Sequence, residues 1–154
     1  MRLPFLFSSV AALGLIAAAP SAHPARTIAA PPDTITVFKS PTCGCCADWV
    51  DHIREHGFAV IVRDTADVTP VKNASGVPQA LRSCHTAKGG GYVFEGHVPA
   101  DLMSRVLRER PTIRGLAVPG MPVGSPGMEA GGRKDPYEVL TFDARGKTTV
   151  YAER

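Results

Sequence analysis

Between residues 34 and 64 the chain alternates, breaks, takes up a helical spacing and returns to an apolar run. A C-x-x-C pair falls where the helical spacing starts. "TITVFKS" (34 to 40) is β-rich with period-two alternation and predicts a strand. Ser40-Pro41 follows as a helix-start signal, a capping side chain and then a proline. Cys46, Trp49, Val50 and Ile53 recur at helical spacing, and Gly57 supplies the stop. "FAVIVRD" (58 to 64) predicts the second strand. A strand, a helix and a strand of this length make a βαβ unit, which already commits the chain to an α/β fold.

The remaining segments extend that unit. Thr69-Pro70 opens a short helix over 67 to 76, and Pro99 opens another over 99 to 110, with Leu102, Val106 and Leu107 as its apolar stripe and Met103 in the core. "VPQALRSCHTA" (77 to 87) and "GYVFEGHV" (91 to 98) predict two strands joined by a hairpin at Lys88-Gly89-Gly90. The resulting order, β-α-β-α-β-β-α, is that of a thioredoxin-like domain. Val77-Pro78 stands where such folds often hold a cis-proline, so a cis bond is expected there. Residues 115 to 136 form a Gly/Pro-rich loop punctuated by Met121 and Met128, and loops of that length are usually functional or disordered. "YEVLTF" and "TTVYAE" flank a turn at Asp143–Gly146 and predict a C-terminal β-hairpin.

Ahead of this domain, Met1-Arg2 and the apolar run ending in small residues near 19 to 22 have the layout of a secretory signal peptide. The run is short for a membrane span, so a cleaved signal peptide is favoured over the alternative of an uncleaved N-terminal anchor. The expected organisation is a signal peptide over 1–22, a Pro/Ala-rich tether over 23–33, and one thioredoxin-like domain over 34–154, exported to the periplasm with no membrane span in the mature form. Net charge is only +3 and unclustered, and aromatics are few, which argues against nucleic acid as a partner.

An exported chain meets an oxidising space in which four cysteines could form two disulfides. Three of the four, Cys43, Cys45 and Cys46, lie within four residues, a poor arrangement for a staple because short loops gain little from closure. The cluster therefore reads as chemical. Cys43 and Cys46 at a helix start are placed for redox work, with the helix N-terminus stabilising a thiolate at Cys43. Cys45 is surplus to a dithiol, where it can trap the wrong disulfide, yet clustered thiolates suit Cu(I), which also accepts Met and His. The soft donors elsewhere are Cys84, His85, His97, Met121 and Met128. On a strand Cys84 and His85 would point to opposite faces, so both reach one site only if the strand bends there. Cys84 could instead pair with a cluster cysteine. His52 and His56, four apart on the first helix, read as a solvated face rather than a chelate. Structural zinc prefers two well-spaced ligand pairs and gains nothing from methionine, so copper is favoured over a zinc module.

"SPTCGCCADWVDH", "GVPQALRSCHTA", "GYVFEGHVPA", "GLAVPGMPVGSPGME" and "DPYEVLTFD" together resemble the CopG-like family, long described as a domain of unknown function with predicted metal binding. The resemblance runs from about Ile35 to Ala152. It implies an exported protein of a copper-resistance cluster, thioredoxin-like in fold, that binds copper as Cu(I) or Cu(II), with more than one ion conceivable from the donor count. It also implies a possible copper oxidoreductase role and other periplasmic copper-resistance proteins as partners. On this resemblance Cys43, Cys45 and Cys46 correspond to a C-x-C-C metal and redox motif, Cys84 and His85 to an S-C-H-T segment, His97 to E-G-H-V-P, and Met121 and Met128 to P-G-M-P and P-G-M-E. The alternative from another class is a periplasmic thiol–disulfide oxidoreductase using Cys43 as nucleophile and Cys46 as resolving thiol.

Overall fold

The computed structural model describes residues 34–154; the expected signal peptide, 1–22, and tether, 23–33, lie outside the described residues. The fold is mixed α/β, with one seven-stranded sheet and three helices. The strands are β1 (Thr34–Lys39), β2 (Ala59–Asp64), β3 (Thr86–Gly89), β4 (Tyr92–Gly96), β5 (Gly115–Val118), β6 (Glu138–Phe142) and β7 (Thr148–Glu153). The helices are α1 (Gly44–Glu55), α2 (Thr69–Ser75) and α3 (Ala100–Glu109). The sheet runs β2-β1-β3-β4-β5-β6-β7, with β1/β2 and β4/β5 parallel and the other pairs antiparallel.

Period-two alternation sorts the strands between two cores. Ile35, Val37, Phe94, Leu116 and Val118 join Trp49, Val50 and Ile53 of α1 and Leu102, Met103, Val106 and Leu107 of α3 in the larger cluster. Their sequence neighbours Val93 and Ala117 join Val77, Leu81 and Phe142 in a second cluster. Glu95 shares the parity of Val93. It is fully buried, and it meets Lys72 of α2 there. Among the described residues no helix is long and apolar enough to cross a membrane.

Four local expectations are corrected. The first helix starts at Gly44 with Cys43 as its N-cap, not at Ser40-Pro41: the Cys43 N–H donates to Ser40 O in a turn, and the Ser40 hydroxyl is spent on Thr42. Residues 77 to 85 are not strand. They form a 3-10 turn, Gln79–Leu81, and an irregular stretch, because the β1 register reaches β3 only from Thr86 to Lys88. Pro78 is trans, as are all the described peptide bonds. Residues 115 to 118 are not loop but strand, since "GLAV" pairs with both β4 and β6; Gly115 fits because a Cβ there would strike Val93 O at 2.0 Å.

Candidate metal centre

The register explains why distant cysteines and histidines meet. Phe38 at the end of β1 pairs with Thr86 at the start of β3, and Thr86 pairs with Glu95 near the end of β4. The chain leaving β1, the chain entering β3 and the chain leaving β4 therefore share one end of the sheet. These are the segments carrying Cys43–Cys46, Cys84-His85 and His97. Gly96 also pairs with Val118 at the end of β5, so the Met-containing loop departs from the same end.

Two groups result, sharing one sulfur. The Sγ atoms of Cys43, Cys45, Cys46 and Cys84 all lie within 4.8 Å of one another. So do the donor atoms of Cys84, His85 and His97. Cys43 and Cys46 are joined as a disulfide, and Cys45 and Cys84 are free. Cys45 Sγ stands 3.6 Å from Cys43 Sγ. Cys84 Sγ lies 3.2 Å from His85 Nδ1 and 3.1 Å from His97 Nε2. Because Cys84 and His85 precede β3 in an irregular stretch, strand alternation does not apply to them. Both face the site, contrary to the expectation that they would diverge.

The two imidazoles are held differently. His97 Nδ1 donates to Pro126 O at 2.7 Å, which fixes its proton there and leaves the Nε2 lone pair aimed at Cys84. His85 is fully buried, its ring 4.4 Å from Trp49, and its Nε2 has no hydrogen-bond partner. Burial holds its pKa well below the usual histidine range, with the nearby His97, Lys72 and Lys39 adding to the effect. Burial also lowers His97, opposed by the bond to Pro126. Both rings are thus kept neutral, the form that ligates metal. Burial pushes the Cys84 thiol up to about 11, with Cys45 contributing in the same direction.

A polar network beneath the site anchors Cys84. Glu95 accepts from Lys72 Nζ, from Thr86 Oγ1 at 2.7 Å and from the Ser83 N–H at 2.6 Å, and Lys72 Nζ also reaches Thr86 Oγ1 at 3.1 Å. The Gly96 N–H donates to His85 O at 3.0 Å, and a Cβ on Gly96 would strike Val118 O at 2.6 Å. The backbone on either side of Cys84 is therefore pinned to β4. Trp49 contributes twice, since its Nε1 also donates to Val98 O next to His97.

Met121 and Met128 lie in the connection between β5 and β6, a strap that meets the site at Pro126 and Gly127. Pro126 holds His97, and a Cβ on Gly127 would lie 2.7 Å from Trp49 N and 2.8 Å from Cys45 O, so the strap backbone rests directly on α1. Met128, the next residue, is half-buried; Met121 is exposed, at a positive φ of 48°. His52 and His56 do not chelate: His52 Nε2 accepts the Ala100 N–H at the start of α3, and His56 Nδ1 bonds His52 O. The strap contact yields a prediction. Gly127→Ala, at φ +79° against fixed backbone, should displace the strap at a cost of about 1–3 kcal/mol. Faster alkylation of Cys45, followed by mass spectrometry, checks it; an unchanged rate would show that the strap does not shield the thiols.

Fold and site together define a mixed α/β protein built around a thiol–imidazole cluster of metal-binding type. Residues 81–128 match a family model described as a protein of unknown function, DUF411. Two solved structures of copper resistance protein CopG, Form 1 and Form 2, are each 46% identical to the chain, cover 80% of it and 98% of their own length, and superpose with a TM-score of 0.76. No curated protein sequence matches. The chain belongs to the CopG-like family.

Proposed function

We propose that the chain is a periplasmic copper-binding protein of copper resistance or homeostasis. Cu(I) is seated by Cys43, Cys45, Cys46 and Cys84, with His97 and His85 completing the set from the other side of Cys84. The observation that carries this reading is the shared sulfur: Cys84 belongs to both donor groups. One sulfur placed between two neutral imidazoles and three cysteine sulfurs, all thiols once the Cys43–Cys46 disulfide is reduced, is the donor chemistry of a soft cation. An oriented Nε2 lone pair on His97 and a buried His85 without a partner for Nε2 are consistent with a site built for more than hydrogen bonding. The relatives named for copper resistance support copper as that cation. Met121 and Met128 are supplementary thioether donors in this reading. The leader-like residues 1–22 support export.

The fold is read as thioredoxin-like. The order β2-β1-β3-β4, with β1/β2 parallel and β1/β3 and β3/β4 antiparallel, supports that core, to which β5, β6 and β7 are added. Redox chemistry follows from the dithiol. Two-electron reduction of the Cys43–Cys46 disulfide frees two thiolates for metal, and reoxidation withdraws them. The disulfide at the start of α1 also favours a second reading, a thiol–disulfide oxidoreductase with Cys43 as the exposed sulfur.

Anaerobic Cu(I) titration of the reduced protein separates the two. Copper binding predicts tight uptake that Cys45→Ser impairs while disulfide exchange survives. Equal uptake by that variant removes Cys45 from the site, and insulin-type disulfide reduction needing only Cys43 and Cys46 favours the oxidoreductase.

A further inference from the structure

Cys84 stands against a formed disulfide as a free thiol. Its Sγ is within 4.8 Å of both bonded sulfurs, and it comes from a segment that Glu95 and Gly96 pin in place. Cys46 is fully buried, whereas Cys43 and Cys84 are partly exposed. A thiol from solution therefore reaches Cys43, while Cys46 is approachable only from inside the cluster.

We infer that the oxidised chain performs an internal thiol–disulfide exchange in which Cys84 Sγ attacks Cys46 Sγ. The Cys84–Cys46 bond forms as Cys43–Cys46 breaks, and Cys43 leaves with the bonding pair and takes up the proton that Cys84 gives. No electrons enter or leave. Attack at Cys46 rather than Cys43 expels the sulfur of the N-cap residue of α1, at the positive end of the helix dipole, which favours a departing thiolate; attack at Cys43 would expel a thiolate into the buried position of Cys46. Cys45 cannot substitute, because it is the chain neighbour of Cys46 and bridges it only with strain.

The exchange exposes something the resting disulfide conceals. It frees Cys43 beside Cys45, whose sulfurs lie 3.6 Å apart at the half-exposed edge, while the new bond ties α1 to the segment before β3. Metal-free oxidised protein thereby offers a two-thiol seat at its surface without a reductant. The exchange is independent of metal; only the use of that seat for copper rests on the function proposed above.

Disulfide mapping tests this without copper. The full chain, oxidised and stripped of metal by a chelator, is incubated at pH 8, quenched in acid, alkylated, digested and read by mass spectrometry. A Cys46–Cys84 cross-linked peptide is expected, in molecules alkylated at both Cys43 and Cys45, and is lost in Cys84→Ser. Complete alkylation of Cys84 at every time point in the wild type overturns the inference. Cys43→Ser supplies a second arm. With oxidised glutathione it should close Cys46 onto Cys84, and a protein that carries glutathione on Cys84 with Cys46 left as a thiol shows the two sulfurs out of reach and overturns it equally.

Discussion

Cys84→Ala should weaken Cu(I) binding more than any other single substitution in the cluster, while leaving the fold almost untouched. Loss of even an outer partner of a metal ligand typically reduces affinity about 10–100-fold, and Cys84 is placed as a direct donor to both groups, so a loss beyond about 100-fold is expected. Cys45→Ser, which touches only the four-sulfur group, should lose less. Stability should hardly follow. Cys84 is half-buried and outside regular structure, and substitutions away from core cavities and buried charge change stability by about 1 kcal/mol or less. That is about 3–6 °C of melting temperature in a domain of this size. Competition titration with a Cu(I) chelator and a thermal melt on the same sample make the comparison. A variant that competes as well as wild type would remove Cys84 from the metal site and leave the two donor groups unconnected.

The sequence made the βαβ unit legible because each of its elements buries one face and so carries a period. It made the cysteine cluster legible because no structural use of three thiols in four residues is apparent. The convergence of Cys84, His85 and His97 needed register, which follows from pairings between segments far apart in sequence. Strand alternation misled at Cys84 and His85 for that reason: "CHT" reads as strand, but β3 begins only at Thr86. The "GLAV" strand was hidden because its pairing to β4 is parallel and non-local, and its glycine reads as loop. A charge inside an apolar run was the one overlooked signal. Glu95 in "YVFEG" and Lys72 in "TPVKNAS" are costly to bury unless they meet each other. The Pro126 carbonyl that fixes His97 could not be read from side chains at all.

Lys72→Met tests what that buried pair does. It leaves Glu95, fully buried, with Ser83 and Thr86 as donors but no counter-charge. Removing one partner of a buried ion pair is expected to lower stability by about 3–5 kcal/mol, or about 10–30 °C in melting temperature at this chain length. Lys72→Met with Glu95→Leu should recover most of that loss, because an apolar pair of similar volume needs no charge compensation there. The site should not recover with it. The double variant gives the Ser83 N–H no side-chain acceptor, and the chain through Cys84 loses its anchor on β4 while its bond from Gly96 to His85 O remains. Melting temperature and Cys84 alkylation rate should therefore separate: near wild type in the first, faster in the second. If both return to wild-type values, Glu95 serves stability alone and Cys84 is positioned by Gly96 and His97. If neither returns, the network acts through packing that leucine and methionine cannot replace, and the charge argument fails.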